Sequence, residues 1–234
     1  MISKSVEDYL KAIYEISQEN GNRTASTSAI AERLGVSPAS VTGMFKKLNN
    51  FQPKLITYRP YHGVVLTPEG ENIAIEVLRH HRLLMCFLSQ TLGYDWHELH
   101  SEADRLEHFI SENFEERIAE SLGYPNIDPF GGPIPARDGT VNIIHEKPLS
   151  ELAVGDKVSI SRVSYHDPDL LQHLKNLGLT PHAQIEIVDR GPFDGPLHIH
   201  VQKTQQTHAL NKYVTDQVFT QMLETPIREE AKSE

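Results

Sequence analysis

The sequence predicts an α+β chain that opens on a winged helix-turn-helix, continues into an all-helical segment and closes on a small β-barrel. Between Thr27 and Asn50 a helical pattern, a glycine turn and a serine-capped second helix follow one another, and an alternating apolar and polar stretch comes next. Residues 68–92 and 98–122 keep apolar side chains at helical spacing. After an interval dense in proline and glycine, short β-branched runs separated by turns fill the rest, as in a small barrel.

The first helix is expected over residues 5–18, where Tyr9, Leu10, Ile13, Tyr14 and Ile16 fall near helical spacing behind Ser5 as N-cap. The next runs through Ile30, Ala31 and Leu34 to a turn at Gly35. Ser37 and Pro38 then open another helix, the hydroxyl satisfying free backbone N–H groups and the proline sitting where none is needed. Residues 55–70, LITYRPYHGVVLTPEG, alternate about a Pro-Tyr-His-Gly turn and read as a two-stranded wing. Ile73, Val77, Leu84 and Leu88 line one side of a long helix from Pro68 to Leu92, and a second is expected from about Glu98 to Leu122. Their broad apolar faces need a partner surface, which a homodimer supplies. YPNIDPFGGPIPARDG, residues 124–139, is irregular. Strands are expected within 148–163, 183–202 and 208–221. The predicted boundaries are a winged helix at 1–70, a helical domain at 71–140, a linker at 141–150, the barrel at 151–226 and a disordered charged tail at 227–234.

Composition narrows the function. No apolar run approaches the ~20 residues of a membrane span, and the N-terminus lacks the apolar core of a secretory signal, so a cytoplasmic protein is expected. One cysteine excludes an internal disulfide framework, whereas thirteen histidines are a notable excess. The net charge of −10 opposes nucleic-acid binding until its distribution is considered. Residues 1–70 hold eight basic and six acidic side chains, and the remainder 14 basic and 26 acidic, so a mildly basic head joins an acidic body.

That head offers a recognition helix whose first residues, Ser37, Pro38, Ala39, Ser40, Thr42 and Gly43, are small enough for close approach to base edges, with Lys46, Lys47 and Arg59 placed for phosphates. A helix pair used only for packing is the alternative. In HSEADRLEH, residues 100–108, a helix would put Asp104, Glu107 and His108 on one face, with His100 a turn earlier. Such a group is either a solvated acidic face or most of a metal site. His80 and His81 would meet it if the two long helices pack antiparallel. No catalytic motif accompanies these residues, and neither an enzyme nor a small organic substrate is expected.

In this order SVEDYLKAIYEI, IAERLGVSPASVT, LTPEG, RHHRLL, HSEADRLEH and DPFGGPIP resemble the DtxR/MntR family of metal-dependent repressors. GDKVSI, AQIEIVDR and LNKYVTDQVF resemble the SH3-like, FeoA-like domain of its longer members. The resemblance implies a homodimeric repressor of metal-uptake genes that grips a palindromic operator in double-stranded DNA. It implies a principal metal site at Asp8, Asp104, Glu107 and His108. The iron-sensing branch has methionine and cysteine where Asp8 and Asp104 stand. Oxygen and imidazole donors without sulfur suit Mn²⁺ as corepressor, while Fe²⁺ or another divalent ion remains chemically able to bind. An ancillary site is implied at His81, Met85 and His100, with His166 or Asp167 from the barrel. Met85 stands where the family has glutamate, which puts that site in question. Lys11 stands where compact manganese sensors have glutamate, which argues against their two-ion cluster.

Overall fold

A computed structural model describes residues 2–19, 24–59, 62–193 and 195–223. The wing tip at Pro60 and Tyr61 and the predicted tail at 227–234 lie outside the described residues. The chain divides into two compact units, one of residues 1–129 and 133–143, the other of 130–132 and 144–234. Residues expected as linker thus already carry structure of the second unit.

In the first unit α1 spans Lys4–Glu19. It begins one residue before Ser5, because the Ser3 carbonyl accepts the Val6 and Glu7 N–H groups at 2.8 and 3.2 Å. Ser5 therefore lies in the first turn and not at the cap. Helix α2 (Thr27–Leu34) is capped by the Ser26 side chain and stopped by Gly35, whose φ of 62° is the left-handed conformation that glycine adopts without strain. Helix α3 (Pro38–Asn49) starts as expected at Ser37, which accepts from Ser40 N, with Pro38 in the first turn. Strands β1 (Ile56–Arg59) and β2 (Gly63–Leu66) pair antiparallel, Ile56 opposite Leu66.

Helix α4 (Pro68–Leu92) follows the wing, capped by Thr67. The Thr67 N–H donates to the Leu55 carbonyl and its hydroxyl donates to that of Lys54. A Cβ on Gly70 would stand 2.0 Å from the Leu55 oxygen, so only glycine lets the first turn of α4 rest on the wing's entry. Val6, Leu10 and Ile13 of α1, Ile30 of α2, Phe45 and Leu48 of α3, Val64 of β2 and Leu78 of α4 share one core. Each of these aliphatic or aromatic side chains contributes about 1.5–3 kcal/mol on burial. Helix α1 is thereby fixed to both the DNA-binding elements and α4.

The helix expected over 98–122 is in fact two: α5 (Leu99–Leu106) and α6 (Glu112–Ser121). The Ser111 side chain accepts from Phe114 N and restarts the helix. Glu107 and His108 consequently lie in the turn that ends α5.

The second unit is a six-stranded antiparallel sheet ordered β3-β8-β4-β5-β6-β7, comprising Lys147–Pro148, Lys157–Val163, Gln184–Arg190, Leu197–Val201, Gln206–Leu210 and Val218–Met222 for β3 to β8. Its end strands β3 and β7 are not paired with each other among the described residues. Register shifts between Ile160 and Arg162 and between Ile187 and Asp189 are the irregularities that bend such sheets. Helix α7 (Pro168–Leu177) lies between the expected strand segments, and the short α8 (Lys212–Thr215) interrupts the last of them. No helix among the described residues is long and apolar enough to cross a membrane.

Candidate metal centre and nucleic-acid surface

Ser37, Pro38, Ala39, Ser40, Gly43, Lys46, Lys47 and Arg59 are all exposed, and Thr42 is half-buried. The buried side of α3 is carried by Val41, Phe45 and Leu48, so the small residues and both lysines are left facing outward. Ser37 and Thr42 are partly committed to their own helix, Ser37 as its cap and Thr42 by donating to the Pro38 carbonyl at 3.0 Å. A Cβ on Gly43 would meet nothing within 4 Å, which leaves this face of the helix open.

Metal-binding chemistry gathers where α1 passes the end of α5. One face of α1 carries Asp8, Lys11 and Glu15, at three- and four-residue spacing. Asp8 joins Glu107 and His108 in a group whose donor atoms lie within 4.8 Å of one another. Asp8 Oδ1 stands 2.7 Å from His108 Nε2, and Glu107 Oε1 stands 3.2 Å from the same nitrogen. Asp8 Oδ1 and His108 Nε2 are buried yet have hydrogen-bond geometry neither to each other nor to another group. Two buried donor atoms that converge without sharing a well-formed hydrogen bond fit a cation between them, and the oxygen and imidazole donors fit a divalent transition metal.

The other ring nitrogen of His108 donates to Glu7 Oε2 at 2.6 Å. Sequence reasoning passed over Glu7; its one signal was being next to Asp8 on a helix. Burial opposes a charge on His108, but the carboxylates of Asp8, Glu107 and Glu7 outweigh it and push the imidazole pKa up to about 10. Glu107 is itself almost wholly buried. Burial would raise its pKa, yet His108, His81 and Lys11 hold it well below the usual carboxylate range.

A second group shares Glu107 and comprises His81, Asp104 and Glu107. Asp104 thus groups with His81 and Glu107 and not with Asp8 and His108. Lys11 occupies this side: its ammonium donates to Glu107 Oε1 at 2.6 Å and to Asp104 Oδ1 at 3.0 Å. Burial works against that charge, but Glu107, Glu15 and Asp104 outweigh it and raise the lysine pKa above its ordinary value. His81, fully buried on α4, donates from Nδ1 to Glu107 Oε2 at 2.6 Å. Its Nε2 stands 3.0 Å from His100 Nδ1, one of the two ring nitrogens donating to the other. Burial and the neighbouring His81 push the His100 pKa well below its ordinary value.

His80 secures the turn from behind. Its Nδ1 donates to the Glu107 carbonyl at 3.1 Å and its Nε2 meets Glu115 Oε2 at 2.9 Å. Arg79 closes the series through Glu115 Oε1 at 2.5 Å. Of the ancillary residues, His81 and His100 are together, and Met85 is fully buried one turn beyond His81. His166 and Asp167 belong to the second unit. There the His166 ring packs on Tyr165, and Asp167 caps α7 and accepts from the Tyr213 hydroxyl at 2.7 Å.

Comparison with known proteins gives this geometry its context. Residues 1–64 match the iron dependent repressor N-terminal DNA binding domain, 67–136 the iron dependent repressor metal binding and dimerisation domain, and 147–221 the FeoA domain. The iron-dependent repressor IdeR of Mycobacterium tuberculosis is 32% identical over 198 residues, 78% of this chain and 83% of that protein. The regulator MntR of Bacillus pumilus is 37% identical over 124 residues, 53% of this chain and 83% of its own. Among solved structures, a manganese-dependent transcriptional repressor in complex with manganese superposes with a TM-score of 0.86 at 32% identity, covering 93% of this chain and all of that one (100%). The manganese regulator SloR gives 0.79 at 30% identity, covering 93% and 98%. The chain belongs to the iron-dependent repressor family, the DtxR/MntR group of metal-dependent, DNA-binding transcriptional repressors, and is not an enzyme.

Proposed function

We propose that this chain is a manganese-dependent repressor of metal-uptake genes, with Mn²⁺ as corepressor and a palindromic operator bound by a homodimer. The observation that carries the metal assignment is the donor set: Asp8 Oδ1 and Glu107 Oε1 converge on His108 Nε2 without any sulfur ligand. Hard oxygen donors with one imidazole suit Mn²⁺, whereas thiolate or thioether would favour softer ions. Asp104 is the fourth donor by family resemblance, although it groups with His81 and Glu107 rather than with Asp8 and His108. A bound ion would supply positive charge where three ionisable ligands meet.

The residues themselves supply the coupling. Asp8 belongs to a helix packed into the core of the DNA-binding head, while Glu107 and His108 terminate α5. Joining them fixes the head against the helical segment before DNA arrives, so less ordering is left to be done on binding. Ser37, Pro38, Ala39, Ser40, Thr42 and Gly43 then face the major groove, and Lys46, Lys47 and Arg59 face phosphates. The basic head answers to the palindrome through twofold symmetry, two recognition helices meeting two half-sites.

Iron is the second reading, favoured by relatives such as IdeR that are named for iron dependence. Titrating DNA affinity with Mn²⁺ and with Fe²⁺ under anaerobic conditions separates the two. Tighter DNA binding at lower free Mn²⁺ is expected; a clear preference for Fe²⁺ would overturn the manganese assignment.

A further inference from the structure

We infer that Lys11 is the resident cation of the His81, Asp104 and Glu107 group and thereby limits this cluster to one exchangeable metal ion per protomer. The inference rests on the reading above, in which Asp8, Glu107 and His108 hold that ion.

Two groups of three potential ligands share Glu107, so the side chains present could in principle hold two ions side by side. Among the described residues, buried donor atoms without a hydrogen-bond partner occur in one of the two groups. In the Asp8 group, Asp8 Oδ1 and His108 Nε2 are buried without hydrogen-bond partners. In the other, the Lys11 ammonium sits 2.6 Å from Glu107 Oε1 and 3.0 Å from Asp104 Oδ1, where an ion bound to those oxygens would have to stand. Lys11 is buried, with a side chain only 8% exposed, so it has no easy route into solvent on which to swing away. A divalent ion set between Glu107, Asp104 and His81 would have to take the place of that ammonium, whereas an ion in the Asp8 group can share Glu107 from the His108 side. Arginine would preserve that exclusion; glutamine would keep polar contacts but remove the charge.

Lys11 also ties α1 to the end of α5 in the metal-free protein, through the same two carboxylates. The joint that the ion completes is half made beforehand.

Native mass spectrometry with Mn²⁺ alone tests the inference, because it counts ions on protein whose charge-state distribution reports folding. Wild type is expected to take one ion per protomer in the cluster, lost in D8A. K11Q and K11M are expected to take two, the second lost when H81A is added, and K11R is expected to take one. The inference is overturned if folded K11Q and K11M still take a single ion, or if wild type takes two with the second lost in H81A. The wild-type count decides even if both neutral variants fold poorly. Failure of the underlying reading looks different: D8A would then keep the wild-type ion count and affinity.

Discussion

Replacing Glu7 by glutamine leaves an acceptor near His108 and removes only the charge. Glu7 Oε2 accepts from His108 Nδ1 at 2.6 Å, while the opposite nitrogen faces Asp8 and Glu107. With a metal bound at that opposite nitrogen this would be the carboxylate–histidine–metal arrangement, in which the outer carboxylate orients the ring and raises its basicity as a ligand. Losing such a partner costs about 10–100-fold in metal affinity. The Glu7 side chain is 21% exposed, so water screens part of its charge. E7Q should therefore fall at the lower end, roughly tenfold or ~1.4 kcal/mol. E7A also frees the ring to turn and should lose closer to about 100-fold. Competition with a fluorescent Mn²⁺ chelator near neutral pH reads both numbers. Wild-type affinity in both variants would refute the orienting role, and a loss in E7Q as large as in D8A would make Glu7 a ligand.

Three further outcomes follow from the same geometry. In the metal-free protein His108 has its pKa raised to about 10 and is protonated at neutral pH, whereas ligation needs the neutral ring nitrogen. Each ion bound should thus release one proton, and affinity should rise by about tenfold per pH unit across the neutral range, flattening as pH passes the His108 pKa; calorimetry in buffers of different ionisation enthalpy measures the proton count. E115A strips Arg79 and His80 of their shared carboxylate. Breaking a buried pair costs about 3–5 kcal/mol, and because this one borders a cavity of ≈ 380 Å³, about 2–3 kcal/mol is expected on chemical denaturation, with an unchanged midpoint counting against it. G131A should destabilise the second unit by at least about 1–3 kcal/mol from its positive φ of 91° alone, with a Cβ that would also stand 1.9 Å from the Ser161 carbonyl; a wild-type melting profile would contradict this.

Local signals in the sequence were strong wherever the backbone needed a particular residue. Gly35 and Ser37 each had one plausible use, and the helix-turn-helix followed from them, as did the wing from its alternation and α4 from its caps. The break between α5 and α6 was hidden because Leu99, Ala103, Leu106, Ile110, Phe114 and Ile118 keep helical spacing straight across it, so periodicity outvoted the cap at Ser111. Asp8, Glu107 and His108 were readable as a set through family resemblance. Their environment was not, since charge on a sequence does not say which partner it meets. Lys11 could have been a solvated surface lysine, and its pairing with Asp104 and Glu107 exists only because α1 and the turn after α5 are brought together by a core of distant side chains. Glu7 was missed for a related reason. Neighbours on a helix point about 100° apart, yet both Glu7 and Asp8 reach one imidazole because its two nitrogens face different directions.

The coupling between metal and DNA through Asp8 and His108 is tested most directly by fluorescence anisotropy on a duplex that the protein itself selects from a random pool in the presence of Mn²⁺. Wild type should bind tightly with Mn²⁺, release on chelation while keeping its far-ultraviolet circular dichroism, and rebind when Mn²⁺ returns. D8A and H108A should fold normally and bind that duplex about 5–150-fold more weakly at saturating Mn²⁺, the range of a 1–3 kcal/mol coupling. If both variants hold the duplex as tightly as wild type, the metal site and the DNA-binding head are not coupled through these residues.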